Sequence, residues 1–291
     1  MIVSVIPQDG DGVAPYRWTE TNLTYKVGDF SEVMLQAIYA AGEAWMRVAN
    51  ITFTPSDDPV IWVRSSEKAE TYLPLDTENG GDVYLPDAPK AVPGSLAYFL
   101  ALHEIGHALG LIHTDTSVYT SVMSYADYVG DTVQSSYWSS MLPMTPMLED
   151  IANVQSMYGA NLTTNAGDTV YQAAVGQKFY LTIWDAGGMD TLDWSNQSTP
   201  AILDLREGYS SHVGPMRFDG QRFTNENLWI ADGVIIENAK GGSGDDVFYL
   251  NDYENVIDGG DGFDTVYASS IEGDVLHDIE QIILVGSEAL A

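Results

Sequence analysis

Residues 241–249, GGSGDDVFY, recur as GGDGFDTVY at 259–267, eighteen residues further along the chain. The intervening LNDYENVID keeps Asn255 and Ile257 in the same register, so the repeating unit is nine residues long. A unit this short cannot bury its own apolar position and has to stack on its neighbours. Gly241, Gly242 and Gly244, lying over Gly259, Gly260 and Gly262 one coil later, let the backbone turn tightly. Main-chain carbonyls and the carboxylates of Asp246 and Asp264 then face a hard cation, with Phe248 and Val266 pointing inward. At least one calcium ion is expected. Simple Gly/Asp turns would not repeat at a fixed register.

Everything after residue 161 shares this character. Short runs such as KFYLTIW, AILDL and DTVYAS are punctuated by Gly/Asp turns, with no convincing helix. Residues 161–291 therefore read as an all-β domain. The first 160 residues read as α+β. A strand within 19–29 leads into a helix from about Ser31 to Asn50, whose Met34, Ile38, Ala41, Trp45 and Val48 recur at helical spacing as a core stripe. Strand candidates follow at 51–54, 60–63 and 83–85. A second helix runs from about Ser95 to near Gly110, and a third over 147–158, closed by Gly159.

The second helix carries the chemistry. His103 and His107 stand four residues apart on one helical face and can reach one metal, with Glu104 between them. After Gly110 the chain reverses and His113 can supply a third nitrogen, leaving a position for water, as a catalytic zinc site requires. Three of the chain's five histidines fall in this single HExxHxxGxxH pattern. Glu104 is placed to take the proton of the activated water. The SVMSY segment at 121–125 puts Met123 where metzincins form an apolar turn beneath the imidazoles.

With these motifs together, the sequence resembles the serralysin family: zinc endopeptidases with a metzincin (zincin-like) catalytic domain and a C-terminal parallel β-roll of calcium-binding RTX repeats. The resemblance implies that Tyr125 is an additional zinc ligand that moves off the metal to stabilise the tetrahedral intermediate. It implies a second calcium site in TIWDAGGMDTLDWS, with Asp185, Gly187 and Asp190 as candidates. It also implies an edge strand above the cleft at Val83, Tyr84 and Leu85, along which a peptide substrate pairs. Two departures bear on specificity: Thr114 stands where serralysins usually carry proline, and only nine residues separate His113 from Met123.

Composition is consistent with this reading. Hydrophobic residues form 45% and charged residues 18%, the profile of a folded chain. A net charge of -31 repels nucleic acid and anionic membranes and gives bound cations a stabilising role. There is no cysteine, so neither disulfides nor thiol chemistry is available. The N-terminus lacks the basic and apolar regions of an export signal, and no stretch approaches the ~18 apolar residues of a membrane span. The resemblance instead implies secretion through a type I exporter reading an uncleaved C-terminal signal, with IILVGSEALA as the candidate. It further implies protein or peptide substrates, a monomer, and a proteinaceous inhibitor as a companion. A non-catalytic calcium-binding module is the competing class, and the intact Glu104 counts against it. His212 and His277 are left unassigned.

Overall fold

The computed structural model describes residues 17–74, 78–126, 141–218 and 221–286. The chain divides into two compact units, residues 1–161 with 218–221, and residues 162–217 with 222–291. Of the segment read as an export signal, residues 287–291 lie outside the described residues.

The first unit begins with strand β1 (Asn22–Val27) and helix α1 (Glu32–Val48). The Ser31 hydroxyl oxygen accepts from the Met34 amide and caps the first turn of α1. Met34, Ile38, Ala41, Trp45 and Val48 are all buried, as their spacing requires. Strands β2 (Thr52–Pro55), β3 (Ile61–Ser65), β4 (Glu70–Thr71) and β5 (Val83–Leu85) complete a sheet in the order β2-β1-β3-β5-β4. Its strands are parallel except β4, which runs antiparallel to β5. The expectation of an edge strand at Val83–Leu85 is therefore corrected. These residues pair on both sides, and Val83 and Leu85 are fully buried. The edge on this side of the sheet is β4, a two-residue strand too short to announce itself by alternation, and the opposite edge is β2.

Helix α2 (Leu96–Ala108) is apolar around most of its circumference and accordingly buried. The Trp45 indole donates to the Leu102 carbonyl at 3.0 Å, fastening α2 to α1. The last carbonyls of α2 have no helical partner and must find others. Trp18 Nε1 donates to Ala108 O at 2.8 Å, and the Tyr158 hydroxyl, at the end of α3 (Leu148–Tyr158), donates to Leu109 O at 2.6 Å.

The second unit contains β6 (Val170–Tyr171), β7 (Leu181–Ile183), β8 (Thr191–Asp193), β9 (Ile202–Asp204), β10 (Ser210–Phe218), β11 (Phe223–Ile230), β12 (Asn238–Lys240), β13 (Val247–Tyr249), β14 (Val256–Asp258), β15 (Thr265–Ala268), β16 (Val275–His277) and β17 (Gln281–Leu284). One sheet runs β16-β14-β12-β8-β6, parallel throughout. The other runs β17-β15-β13-β9-β10-β11-β7. Asn238 pairs with Val256 and Val247 with Thr265, so the eighteen-residue repeat of the sequence is the register of the coil. Leu192, Ala239 and Ile257 from one sheet and Leu203, Phe248 and Val266 from the other are all buried and form the core of the roll.

The unit is not a pure parallel roll. The long strands β10 and β11 lie between β9 and β7, and β10 is antiparallel to β9. His212 sits in β10 opposite Ile202, and His277 in β16 opposite Asp258.

At Gly260 the backbone has φ +87°, and a Cβ would lie 2.3 Å from the carbonyl oxygen of Gly242 on the coil below. Gly260→Ala is expected to destabilise the roll by about 1–3 kcal/mol. Thermal unfolding followed by circular dichroism would show this as a lowered midpoint.

Candidate metal centre

Helix α2 carries His103, Glu104 and His107 on its last turns, and all three are buried. His103 Nδ1 donates to the Val122 carbonyl at 2.7 Å, and His107 Nδ1 donates to the Leu111 carbonyl, also at 2.7 Å. A carbonyl only accepts, so each ring keeps its proton on Nδ1 and presents a lone pair on Nε2. Gly110, at φ +104°, reverses the chain after the helix. His113 Nε2 thereby comes to 2.9 Å from that of His107 and 3.3 Å from that of His103. A proton on His113 Nε2 could satisfy only one of these two acceptors.

Burial is the main force holding all three rings neutral. It lowers His103 well below the ordinary range, with the other two rings adding to the effect, His107 to about 4 and His113 to about 3. Three neutral nitrogens, two with their opposite nitrogens pinned, match the kind of donor set that a catalytic zinc ion takes. At a Zn–N length of about 2.0–2.1 Å, tetrahedral ligands stand about 3.3 Å apart, close to what is seen here. The residues fit the ion.

Glu104 is pushed up to about 7, first by burial and then by Glu70, with the Thr71 hydroxyl opposing. Its Oε2 is buried without a hydrogen-bond partner. The Tyr125 ring lies 4.2 Å from the His113 ring and 5.2 Å from the His103 ring, centroid to centroid. Burial and the charge of Glu104 raise its phenol. Met123 is buried against α2, where a Cβ on Gly106 would lie 2.7 Å from its sulfur and 3.0 Å from Trp45. Only glycine lets the turn approach the helix this closely.

One residue of the centre escaped the sequence. Asp150, in the first turn of α3, is fully buried and accepts from the Ser121 hydroxyl at 2.6 Å, the Val122 amide at 2.6 Å and the Met147 amide at 2.8 Å. Burial raises it to about 7 against these bonds. It holds Val122, the residue whose carbonyl orients His103. An acid near a helix start is ordinary in sequence, where it complements the helix dipole, so nothing distinguished it.

In the second unit the repeat residues come together as expected of stacked turns. Asp246 accepts from Ala201 N and Gly242 N, both at 2.7 Å, and its own amide donates to Asp264 Oδ1 at 2.7 Å. The Asp264 amide donates to Glu280 at 2.7 Å. A second carboxylate column stands on the other side. Asp190 accepts from Thr169 N, donates its amide to Glu237, and faces Asp185, which binds Tyr171 OH and Gly187 N. The outer oxygens of Asp190 and Asp264 are buried without partners. Burial and neighbouring acids raise both groups to about 6. Glu237 and Glu280 were missed because each replaces aspartate at its repeat position.

Fold and site together define a chain that joins a buried three-histidine centre to a β-roll. The family described as Peptidase M10 serralysin C terminal matches residues 149–283. Serralysin C of Dickeya chrysanthemi is 33% identical over 263 residues, covering 75% of this chain and 53% of that protein. Serralysin of Proteus mirabilis is 36% identical over 288 residues, covering 79% and 56%. Metalloprotease AprA of Pseudomonas entomophila is 33% identical over 275 residues, covering 78% and 55%. The chain belongs to the serralysin family and spans about half the length of the curated relatives it matches.

Asp150→Ala removes the shared acceptor of three bonds inside the core. A loss of about 2–4 kcal/mol is expected, since buried donors left without acceptors cost about 1–3 kcal/mol each. Urea unfolding of the variant beside the wild type measures it.

Proposed function

We propose that the protein is a secreted, zinc-dependent metalloendopeptidase whose metzincin-type catalytic domain, residues 1–160, is followed by a calcium-stabilised β-roll, residues 161–291. The convergence of three Nε2 lone pairs, with the buried carboxylate of Glu104 on the same helix turn and one of its oxygens without a partner, carries this reading. His103, His107 and His113 would hold the zinc ion, which when bound acidifies water and polarises the scissile carbonyl. Glu104 accepts a proton and later delivers it to the leaving amine. Its affinity near neutrality suits it to both tasks, because an acid–base group works best with a pKa close to the operating pH. Tyr125, whose ring lies beside those of His113 and His103, would serve as an additional ligand and would donate its hydroxyl proton as a hydrogen bond to the developing oxyanion. Met123 supports the imidazoles from below.

A peptide substrate would pair in extended form along the edge strand β4, since Thr71 on that strand lies beside Glu104. In the roll, Gly241, Gly242, Gly244 and Asp246 with Gly259, Gly260, Gly262 and Asp264 would bind calcium. Asp185, Gly187 and Asp190 would form a second site. The names of the relatives, serralysin and metalloprotease, support the reading. No helix among the described residues is long and apolar enough to cross a membrane. Export by a type I system, a monomeric state and control by a protein inhibitor belong to the same proposal.

Casein hydrolysis by the wild type is expected to vanish on zinc chelation and return on zinc addition. Glu104→Ala is expected to lower the rate about a hundred- to ten-thousandfold at full zinc loading. No hydrolysis by zinc-loaded wild type would refute the assignment.

Calcium is expected to raise the unfolding midpoint of the roll, by about 2.7 kcal/mol in stability at a hundred times the dissociation constant. In Asp264→Asn the response weakens, and a calorimetric calcium titration of both proteins tests it.

A further inference from the structure

The three imidazoles are not held alike. His103 and His107 each have Nδ1 fixed by a carbonyl, through Val122 and Leu111. Among the described residues His113 has hydrogen-bond contacts only through Nε2, toward the other two rings. Metal-bound histidines nearly always have the second nitrogen oriented by a partner. Among the described residues, the third ring is held through the backbone that carries it.

That backbone is tied down by a chain of side-chain bonds. The Thr114 and Thr116 hydroxyl oxygens are 2.9 Å apart, and Thr116 Oγ1 donates to Glu149 Oε2 at 3.0 Å. A carboxylate oxygen only accepts, so the single Thr116 proton goes to Glu149 and its oxygen accepts the proton of Thr114. The Ser124 hydroxyl donates to the Thr116 carbonyl at 2.5 Å, and the Thr114 amide approaches the Met123 carbonyl at 3.4 Å. Segment 113–116 is thus stitched to the methionine turn on one side and to the first turn of α3 on the other.

We propose that Thr114, Thr116 and Glu149 are positioning residues for His113, a hydroxyl chain ending on α3 that fixes the backbone carrying the third imidazole. The proposal rests on the zinc reading of the three-histidine centre. Glu149 and Asp150, adjacent in one helical turn, then divide the work: Asp150 acts toward His103 through Val122, and Glu149 toward His113 through the two threonines. Thr116 is half-buried and Thr114 precedes an exposed Asp115, so neither is needed to fill the core. Their hydroxyls are what the arrangement uses.

The test is Thr116→Val, which keeps the branched shape and removes the hydroxyl, with Thr116→Ser as rescue, both in the full chain. Zinc affinity is read by chelator competition and ligand geometry by the visible spectrum of the cobalt-substituted protein. Thr116→Val is expected to weaken zinc binding about tenfold or more and to move the cobalt bands, and Thr116→Ser to restore both. Thr114→Val, at the other end of the hydroxyl chain, is expected to act in the same direction and serves if Thr116→Val does not fold. Variants folded as the wild type by circular dichroism, with unchanged zinc affinity and unchanged cobalt bands, would overturn the proposal. A wild type that takes up neither zinc nor cobalt would overturn the zinc reading itself, and the positioning role with it.

Discussion

The reversal of the chain at Gly110 is the constraint from which the centre is built. A backbone at φ +104° ends α2 directly after His107, returns Leu111 O to that ring's Nδ1, and brings His113 back over the helix three residues later. A side chain there would carry the strain of the left-handed region. The turn holds its place because the carbonyls it exposes at Ala108 and Leu109 are taken by Trp18 and Tyr158. Both ends of the first unit are thus fastened to the last turn of one buried helix.

Around that turn the polar groups are arranged in pairs of opposite demand. Three ring nitrogens are kept as acceptors by burial, and on two of the rings a carbonyl also occupies the proton of the other nitrogen. Glu104 and Asp150 are carboxyls in apolar surroundings, yet one is left with an orphaned oxygen and the other receives three donors. In the proposed function the first exchanges a proton, while the second holds a loop. Environment, and not residue type, separates the two roles.

Much of this was legible in the sequence because periodic signals survive packing. The stripe Met34–Ile38–Ala41–Trp45–Val48, the repeat at eighteen residues and the spacing of the three histidines all appear in the structure where they were read. What escaped lacks any period. β4 is two residues long. The β10–β11 excursion interrupts the repeat, and its second strand pairs with β7, more than forty residues earlier. Asp150 and Glu149 resemble any acids at a helix start, and their bonds to Ser121, Val122 and Thr116 join segments about thirty residues apart. The edge reading of Val83–Leu85 failed for the same reason, since a strand does not reveal in sequence whether a second neighbour covers it.

The register of the roll also has a kinetic side. Each coil from β12 onward touches only the coils before and after it, so ordering can travel along the stack as in a one-dimensional chain, each step closing a loop of under twenty residues. The other end of the stack is different: β7 waits for β11, more than forty residues later. The slow, long-range closure therefore lies at the start of the unit and the fast, local propagation at its end, which gives the array a direction in which to grow.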